Sequence, residues 1–234
     1  ANVAVYDAPF TGPNSSFQSV FNAMIDDGVD VISNSWAYCE NQTSLADVQG
    51  IDAILATAAA SGISVFNATG DTGTTCLNGS PNTAAVPASS PHATAVGGTS
   101  LTLGPGFVRE SETWGDGTDE TPPSGQGGFG TSRFFARPSY QDGSTTAPMR
   151  SLPDVAANAD PAKGVVICAQ DLGGCPTGAI YGGTSAAAPL WAAATALLNQ
   201  TQGANLGFLN PLVYPLAGTD AFYDAASMGT DFAH

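Results

Sequence analysis

The sequence predicts an α/β domain with a central, mostly parallel β-sheet and helices packed against it. Short apolar runs of strand length alternate with longer stretches whose apolar residues recur at helical spacing. A β-α-β-α-β order of this kind is typical of a parallel sheet with right-handed crossovers. The chain has 234 residues, which is enough to bury a full core as one domain.

The N-terminal elements follow this alternation. Asn2–Tyr6 is a short β-rich run and is predicted as the first strand. Asn14 or Ser15 can cap the first helix, whose apolar positions at i, i+3, i+4, i+7 and i+8 are Phe17, Val20, Phe21, Met24 and Ile25. Gly28 ends this helix, and Val29–Ser33 is predicted as a buried strand.

A second helix is predicted over Ser44–Ala60, with Gly62 as its C-cap, and Ile63–Ala68 follows as another apolar strand. In parallel sheets, functional sites collect beyond the carboxyl ends of the strands. Trp36 and Asp71 each follow a predicted strand, so we expect them on the same rim of the sheet.

The remaining strands are predicted near Ala93–Val96, Ser100–Leu103, Val165–Cys168 and Ala179–Tyr181. A long helix then includes Ala186–Leu198. This segment contains no charged residue, so we expect the helix to be buried rather than amphipathic.

The charge balance limits the possible partners. Twenty acidic residues against five basic ones give a formal charge of −15. Nucleic acid and an anionic membrane surface are therefore both disfavoured as partners, because binding them needs clustered cations. With few cations, few native ion pairs can be lost when carboxylates are protonated, which predicts tolerance of acid.

Four cysteines show no metal-binding spacing and favour a secreted protein with up to two disulfides. Cys168 and Cys175 flank a turn-like segment and can pair across it, which leaves Cys39 with Cys76; free buried thiols are the alternative. The chain begins at Ala1 without an initiator methionine or a signal peptide, so we expect it to be a piece of a longer precursor.

The candidate nucleophile is Ser185. The segment Gly-Gly-Thr-Ser occurs at Gly97–Ser100 and again at Gly182–Ser185, but only the second copy leads into a helix. Free N–H groups and the helix dipole favour developing negative charge at such a position. An ordinary helix cap is the alternative interpretation of Ser185.

Three assignments of the partner groups are possible. Asp71, His92 and Ser185 follow the order of roles in the subtilisin triad, although His92 lacks that family's His-Gly-Thr helix start. Asp71-Thr-Gly73 resembles the aspartic-protease signature, but no second copy occurs.

The third assignment rests on motifs that run through nearly the whole chain. In order they are Val3–Pro9, Val31–Trp36, Ala68–Gly73, Val86–Pro91, Ala95–Thr99, Ser132–Phe134, Leu152–Pro161 and Gly182–Pro189. Together they resemble the sedolisins, the serine-carboxyl peptidases of subtilisin-like fold. The resemblance implies a three-layer fold with helices on both faces of the sheet. It also implies that residues 1–234 are a catalytic domain that is incomplete at both ends.

The resemblance implies that Ser185 is the nucleophile and that Asp71 belongs to the oxyanion hole. The substrate-binding positions that it implies are Ser35, Trp36, Gly70, Gly183 and Thr184. In this family the base is a glutamate, supported by an aspartate four residues later on a helix that precedes the strand matching Val3–Pro9. We therefore expect the base to lie outside these 234 residues, and this chain to be inactive without it.

The resemblance also implies a calcium site, for which Asp224, Ala225 and Asp231 fall at or near the ligand positions; a solvated acidic turn is the alternative. The expected partners are a peptide or protein substrate and the protein's own N-terminal prosegment. The expected activity is hydrolysis of peptide bonds at acidic pH. A catalytically silent homologue that acts as a binding module is the alternative function.

Overall fold

The structure is a computed structural model that describes residues 2–9, 15–76, 78–114, 127–168, 170, 173–175 and 179–223. Its α-helices are α1 (Ser15–Asp26), α2 (Leu45–Ala60), α3 (Thr184–Gln202) and α4 (Asn210–Val213). Its strands are β1 (Val31–Asn34), β2 (Tyr38–Cys39), β3 (Ser64–Ala68), β4 (Ala85–Val86), β5 (Thr94–Leu103), β6 (Arg109–Trp114), β7 (Gly130–Ala136), β8 (Met149–Leu152), β9 (Val155–Asn158), β10 (Val165–Val166) and β11 (Ile180–Tyr181).

The main sheet is mostly parallel, as predicted. β3 lies between β1 and β5, and β5 also pairs with β9; all three of these pairings are parallel. β6 is the exception, because it returns antiparallel along the second half of β5. Three two-stranded antiparallel pairs lie outside this sheet: β2 with β4, β7 with β8, and β10 with β11.

Helices cover both faces of the sheet, which confirms the predicted three-layer arrangement. Successive side chains of a strand point to opposite faces. Val65 of β3 accordingly packs in one hydrophobic cluster with α1 and α2, whereas Phe66 packs in a second cluster with Ala187 and Ala188 of α3. The core is therefore divided by the sheet into two halves.

The predicted first strand, Asn2–Tyr6, is wrong. The segment is irregular, and Val3 and Val5 are about nine-tenths exposed, at 91% and 89%. A strand is stabilised by ladder hydrogen bonds to a neighbour, and within the described ranges no strand pairs with this segment. Its visible anchor is the Tyr6 hydroxyl, which donates to the Asp27 carboxylate over 2.8 Å.

The prediction that α3 is buried is also wrong. Ala187, Ala188 and Thr195 face the sheet and are buried, but Leu197 and Leu198 are exposed. The helix lies across one face of the sheet, so only one of its sides contacts the core within the described part of the chain. None of the described helices is both long and apolar enough to cross a membrane.

A fully buried ion pair connects the C-terminal half to the sheet. Arg150 of β8 has no exposed surface, and its Nη2 lies 2.5 Å from Asp154 Oδ2. The Asp154 carboxylate also accepts from the Ala95 N–H at 2.7 Å and from the Tyr214 hydroxyl at 2.8 Å. Burial, with the nearby Asp154 charge, raises the pKa of the Tyr214 phenol, so this hydroxyl stays protonated as a donor.

We predict that Arg150→Met lowers the free energy of unfolding by about 3–5 kcal/mol, because Asp154 would remain as an uncompensated buried charge. Arg137→Met is the matched control. Arg137 pairs with Asp142 at 3.1 Å and donates to two backbone carbonyls at 3.0 and 3.2 Å, but the Asp142 side chain is 62% exposed, so the expected loss is smaller, about 1–2 kcal/mol. Equilibrium denaturation in urea measures both, and equal losses would contradict the assigned role of burial.

Candidate active site

Ser185 lies at the start of α3, where a glycine turn brings the chain from β11 into the helix. Gly183 has φ +90° and ψ 161°, a conformation that is strained for any residue with a side chain. The next residue, Thr184, is the first of the helix and is fully buried, whereas Ser185 is exposed. The Ser35 hydroxyl donates to the Ser185 carbonyl oxygen at 3.1 Å and attaches this helix start to the segment after β1.

Thr184 fixes the carboxylate of Asp71. Asp71 Oδ1 accepts from the Thr184 N–H at 2.7 Å and from the Thr184 hydroxyl at 2.8 Å. The same hydroxyl accepts from the Gly70 N–H at 3.1 Å, so its single proton is directed to Asp71. With Oδ1 occupied as an acceptor, Oδ2 is the oxygen of Asp71 that can carry a proton and donate it.

Gly183 keeps the space around Asp71 Oδ2 open. A Cβ atom at this position would lie 2.9 Å from Oδ2, so any side chain would displace the carboxylate or the turn. Asp71 itself is exposed, as Ser185 is. The candidate nucleophile Ser185 and the potential proton donor Asp71 are therefore both exposed to solvent next to Gly183.

Gly128 packs closely against the backbone next to Asp71, and Gly127 packs against Gly98. The Gly128 N–H donates to the Gly70 carbonyl at 2.6 Å, and a Cβ at Gly128 would collide with the Thr69 carbonyl. A Cβ at Gly127 would lie 2.8 Å from the Gly98 nitrogen. These approaches hold the Thr69–Asp71 turn against two other backbone segments.

The rim residue Trp36 is 70% exposed, and its backbone is held by the Asn34 side chain. Asn34 Nδ2 donates to the Trp36 carbonyl at 2.8 Å, and Asn34 Oδ1 accepts from the Trp36 N–H at 3.3 Å. A cavity of about 570 Å³ lies beside Ser35 and Trp36, between α1 and the segment of residues 4–8. The predicted rim positions Ser35, Trp36, Gly70, Gly183 and Thr184 thus lie along the carboxyl ends of β1 and β3 and the start of α3.

Disulfides join Cys39 to Cys76 and Cys168 to Cys175, with Cα–Cα distances of 6.1 and 5.0 Å. The first links the segment after Trp36 to the segment after Asp71. Glu40, next to Cys39, is buried and accepts from the Ser132 hydroxyl at 2.5 Å and the Arg133 N–H at 2.7 Å. This part of the rim is therefore attached both to β3 and to β7.

His92 does not join Asp71 and Ser185. Its Nδ1 lies 2.9 Å from Asp52 Oδ1 on α2. His92 precedes β5, and Asp71 follows β3, so the two lie at opposite ends of parallel strands. A five-residue strand such as β3 spans roughly 17 Å at about 3.3 Å per residue, which separates His92 from the carboxyl-end rim.

The predicted calcium positions and the predicted base are not among the described residues. Asp224, Ala225 and Asp231, the predicted calcium positions, lie outside the described residues. The described residues contain no group of three or more His, Cys, Asp or Glu side chains that could hold a metal ion. Within the same residues, no histidine or carboxylate is hydrogen-bonded to the Ser185 hydroxyl.

The double hydrogen bond from Thr184 to Asp71 was not predicted from the sequence. The available signal was Thr184 itself, since the position before the candidate nucleophile carries a hydroxyl that can reach a neighbouring strand end. Asp71 and Thr184 are 113 residues apart, and local pattern carries no information on such a contact.

Comparison with known proteins agrees with this geometry. A profile of the subtilase family matches residues 1–211. The α/β/α fold and the Gly-Thr-Ser helix start therefore define a protein of the subtilase class.

Individual relatives place the chain in one family within the subtilase class. Kumamolisin of Bacillus sp. (strain MN-32) is 35% identical over 250 aligned positions, which cover 100% of this chain and 42% of the relative. Sedolisin of Pseudomonas sp. (strain 101) is 32% identical, covering 94% of this chain and 37% of the relative. The solved structure of Pseudomonas sedolisin, a serine-carboxyl proteinase complexed with two molecules of pseudo-iodotyrostatin, superimposes with a TM-score of 0.77 over 88% of this chain and 57% of that one. The chain belongs to the sedolisin family, and it spans less than half the length of the two sequence relatives.

The pairing of His92 with Asp52 predicts a pH-dependent contribution to stability. The hydrogen bond to Asp52 raises the pKa of His92 against a smaller opposing effect of burial. A raised folded-state pKa means that the stabilisation is fully present below the unfolded pKa of about 6.5 and is lost as pH rises through the folded value. His92→Gln should therefore cost about 0.2–1 kcal/mol at pH 5 and less at pH 9. Urea denaturation at the two pH values measures this, and a cost independent of pH would refute the ion pair.

Proposed function

We propose that the whole protein is a serine-carboxyl endopeptidase that hydrolyses peptide bonds at acidic pH through an acyl-enzyme on Ser185. The observation that carries this proposal is the exposed Ser185 at the start of α3, beside an Asp71 whose Oδ1 is bound by Thr184 and whose Oδ2 is left open. The solved structure of Pseudomonas sedolisin, which is 32% identical and is described as a serine-carboxyl proteinase, supports it.

The proposed reaction has two halves. The Ser185 oxygen attacks the scissile carbonyl carbon while a base takes the hydroxyl proton, and the carbonyl oxygen becomes an oxyanion. Protonated Asp71 Oδ2 donates a hydrogen bond to this oxyanion, and backbone N–H groups at the start of α3 add positive potential. Collapse of the intermediate breaks the C–N bond, the amine leaves with the proton held by the base, and water then hydrolyses the ester by the same steps.

The base in this proposal is a carboxylate from a Glu-x-x-x-Asp helix outside these 234 residues. A spacing of four residues brings both carboxylates to one face of that helix. Below pH about 6 an ordinary imidazole is charged and cannot accept a proton, whereas an ordinary carboxylate still can. The location of His92 on the opposite end of the strands supports this choice of base.

The cellular setting is also a proposal. Two disulfides favour an oxidising environment, so we place the protein outside the cell, with a peptide or protein substrate and its own prosegment as partners. Calcium at Asp224, Ala225 and Asp231 stays a prediction from the sequence.

Ser185→Ala in the full-length protein should abolish hydrolysis of a fluorogenic peptide at pH 4, because the attacking oxygen is removed. His92→Gln should keep the activity, since His92 binds Asp52 and lies away from Ser185. Activity that survives in Ser185→Ala would refute the nucleophile. A wild-type protein without Ser185-dependent hydrolysis between pH 3 and 8 would instead favour the silent binding module.

Asp71→Ala and Asp71→Asn form a matched pair for the oxyanion role. Alanine removes the donor, and we expect kcat to fall by about 10²–10³-fold with a smaller change in KM. Asparagine keeps an oxygen for Thr184 and places an N–H₂ donor at the position of Oδ2, so we expect it to retain more than ten times the kcat of the alanine variant. Equal losses in the two variants, each checked for folding by thermal melting, would contradict the proposed role of Oδ2.

A further inference from the structure

A single loop makes hydrogen bonds to both Gly-Gly-Thr-Ser segments of the chain, residues 97–100 and residues 182–185. We call residues 159–163 the bridging loop. Asp160 Oδ2 accepts from the Ser100 hydroxyl at 2.5 Å, and Ser100 closes the first copy. The Ala159 carbonyl accepts from the Gly183 N–H at 2.5 Å, and Gly183 belongs to the second copy. We propose that Ser100 and Asp160 are positioning residues, which act through this loop on Ser185 and Asp71.

The Ser100–Asp160 contact is a charged hydrogen bond in a buried place. Asp160 is 1% exposed and Ser100 is 2% exposed. Asp160 uses both oxygens, because Oδ1 accepts from the Ala162 N–H at 2.9 Å. Hydrogen bonds to charged groups are among the strong ones in proteins, and a buried carboxylate that loses a donor is costly. The contact therefore holds the bridging loop firmly against β5.

Lys163, the one lysine of the sequence, supports this contact from the solvent side. Its Nζ donates to the Ser100 and Thr102 hydroxyls, each at 3.0 Å, and lies 3.9 Å from Asp160 Oδ2. Ser100 thus accepts from Lys163 and donates to Asp160. Ser100 is only 2% exposed, so a peptide bond cannot reach its hydroxyl, and its contacts with Asp160 and Lys163 are those of a structural anchor.

The other side of the bridging loop is in direct contact with residues 181–183, the glycine turn that precedes α3. A Cβ at Gly182 would collide with the Ala159 carbonyl and lie 2.5 Å from the Pro161 nitrogen. A Cβ at Gly164, just after the loop, would collide with the Tyr181 carbonyl. With no free space between the loop and residues 181–183, a shift of the loop is transmitted to the turn.

The glycine turn determines the positions of both Ser185 and Asp71. Gly183 is followed by Thr184, which binds Asp71 Oδ1, and then by Ser185. Misplacement of a reacting group by about 1 Å can cost on the order of 10²-fold in rate. This proposal rests on the proposed function, since it assigns Ser100 and Asp160 to the chemistry of Ser185 and Asp71.

The test uses Ser100→Ala and Asp160→Asn in the full-length protein. Alanine removes the donor to Asp160. Asparagine has a single side-chain oxygen, so it loses one of the two acceptors that serve Ser100 and Ala162. We expect kcat to fall by about tenfold in each variant with KM changed less than about twofold, because the turn that places Ser185 and Asp71 moves while Trp36, on the segment after β1, does not.

Ser90→Ala is the matched control. Ser90 is also 2% exposed and also donates to a carboxylate, Asp52, at 2.6 Å, but it lies at the other end of β5 and does not touch the glycine turn. All variants are assayed at one temperature, well below the lowest of their melting temperatures. Ser90→Ala should then show wild-type kcat and KM.

The outcomes separate the two proposals. Wild-type kcat in Ser100→Ala, or an equal loss of kcat in Ser90→Ala, overturns the positioning role while the peptidase assignment stands. Absence of hydrolysis in the wild-type protein overturns the proposed function, and the positioning role falls with it. If Asp160→Asn does not fold, Ser100→Ala alone decides, because it leaves Asp160 with its Ala162 contact and with Lys163 nearby.

Discussion

The two hydrogen bonds from Thr184 to Asp71 are the contact on which the candidate site depends. They join the first residue of α3 to the segment after β3 and fix the carboxylate in one orientation. Because the Thr184 hydroxyl also accepts from Gly70, each partner in this group has a defined role as donor or acceptor. One buried threonine thereby joins the start of a helix to a strand end and leaves Oδ2 as the open oxygen of the carboxylate.

Close backbone approach is the means by which this contact is kept in place. The glycines at 128, 182 and 183 lie where a Cβ atom would meet a carbonyl or a carboxylate. Side chains are normally the part of a packed structure that can adjust, and these three positions have none. The site is therefore built from peptide groups that touch one another, which makes its geometry stiff.

The sequence was sufficient for the parts of the fold that have local signals. The helical period around Phe21 and the apolar run that becomes β3 predicted two layers of the domain. Asn2–Tyr6 has the composition of a strand, but a strand also needs a partner, and composition does not report partners. The pairing of β9 with β5 and the hydrogen bond from Ser100 to Asp160 join residues about 60 positions apart, so no local pattern revealed them. Ser100 in particular resembled an incidental copy of the nucleophile motif, whereas it anchors the loop beneath that motif.

The Cys39–Cys76 disulfide has a consequence for the lifetime of the molecule. It encloses α2 and β3, so a backbone cut anywhere between the two cysteines leaves the pieces covalently joined. Disulfide exchange needs a thiolate, and thiolates are scarce below neutral pH. After such a nick Trp36 and Asp71 would stay covalently linked, and below neutral pH the cross-link would exchange slowly.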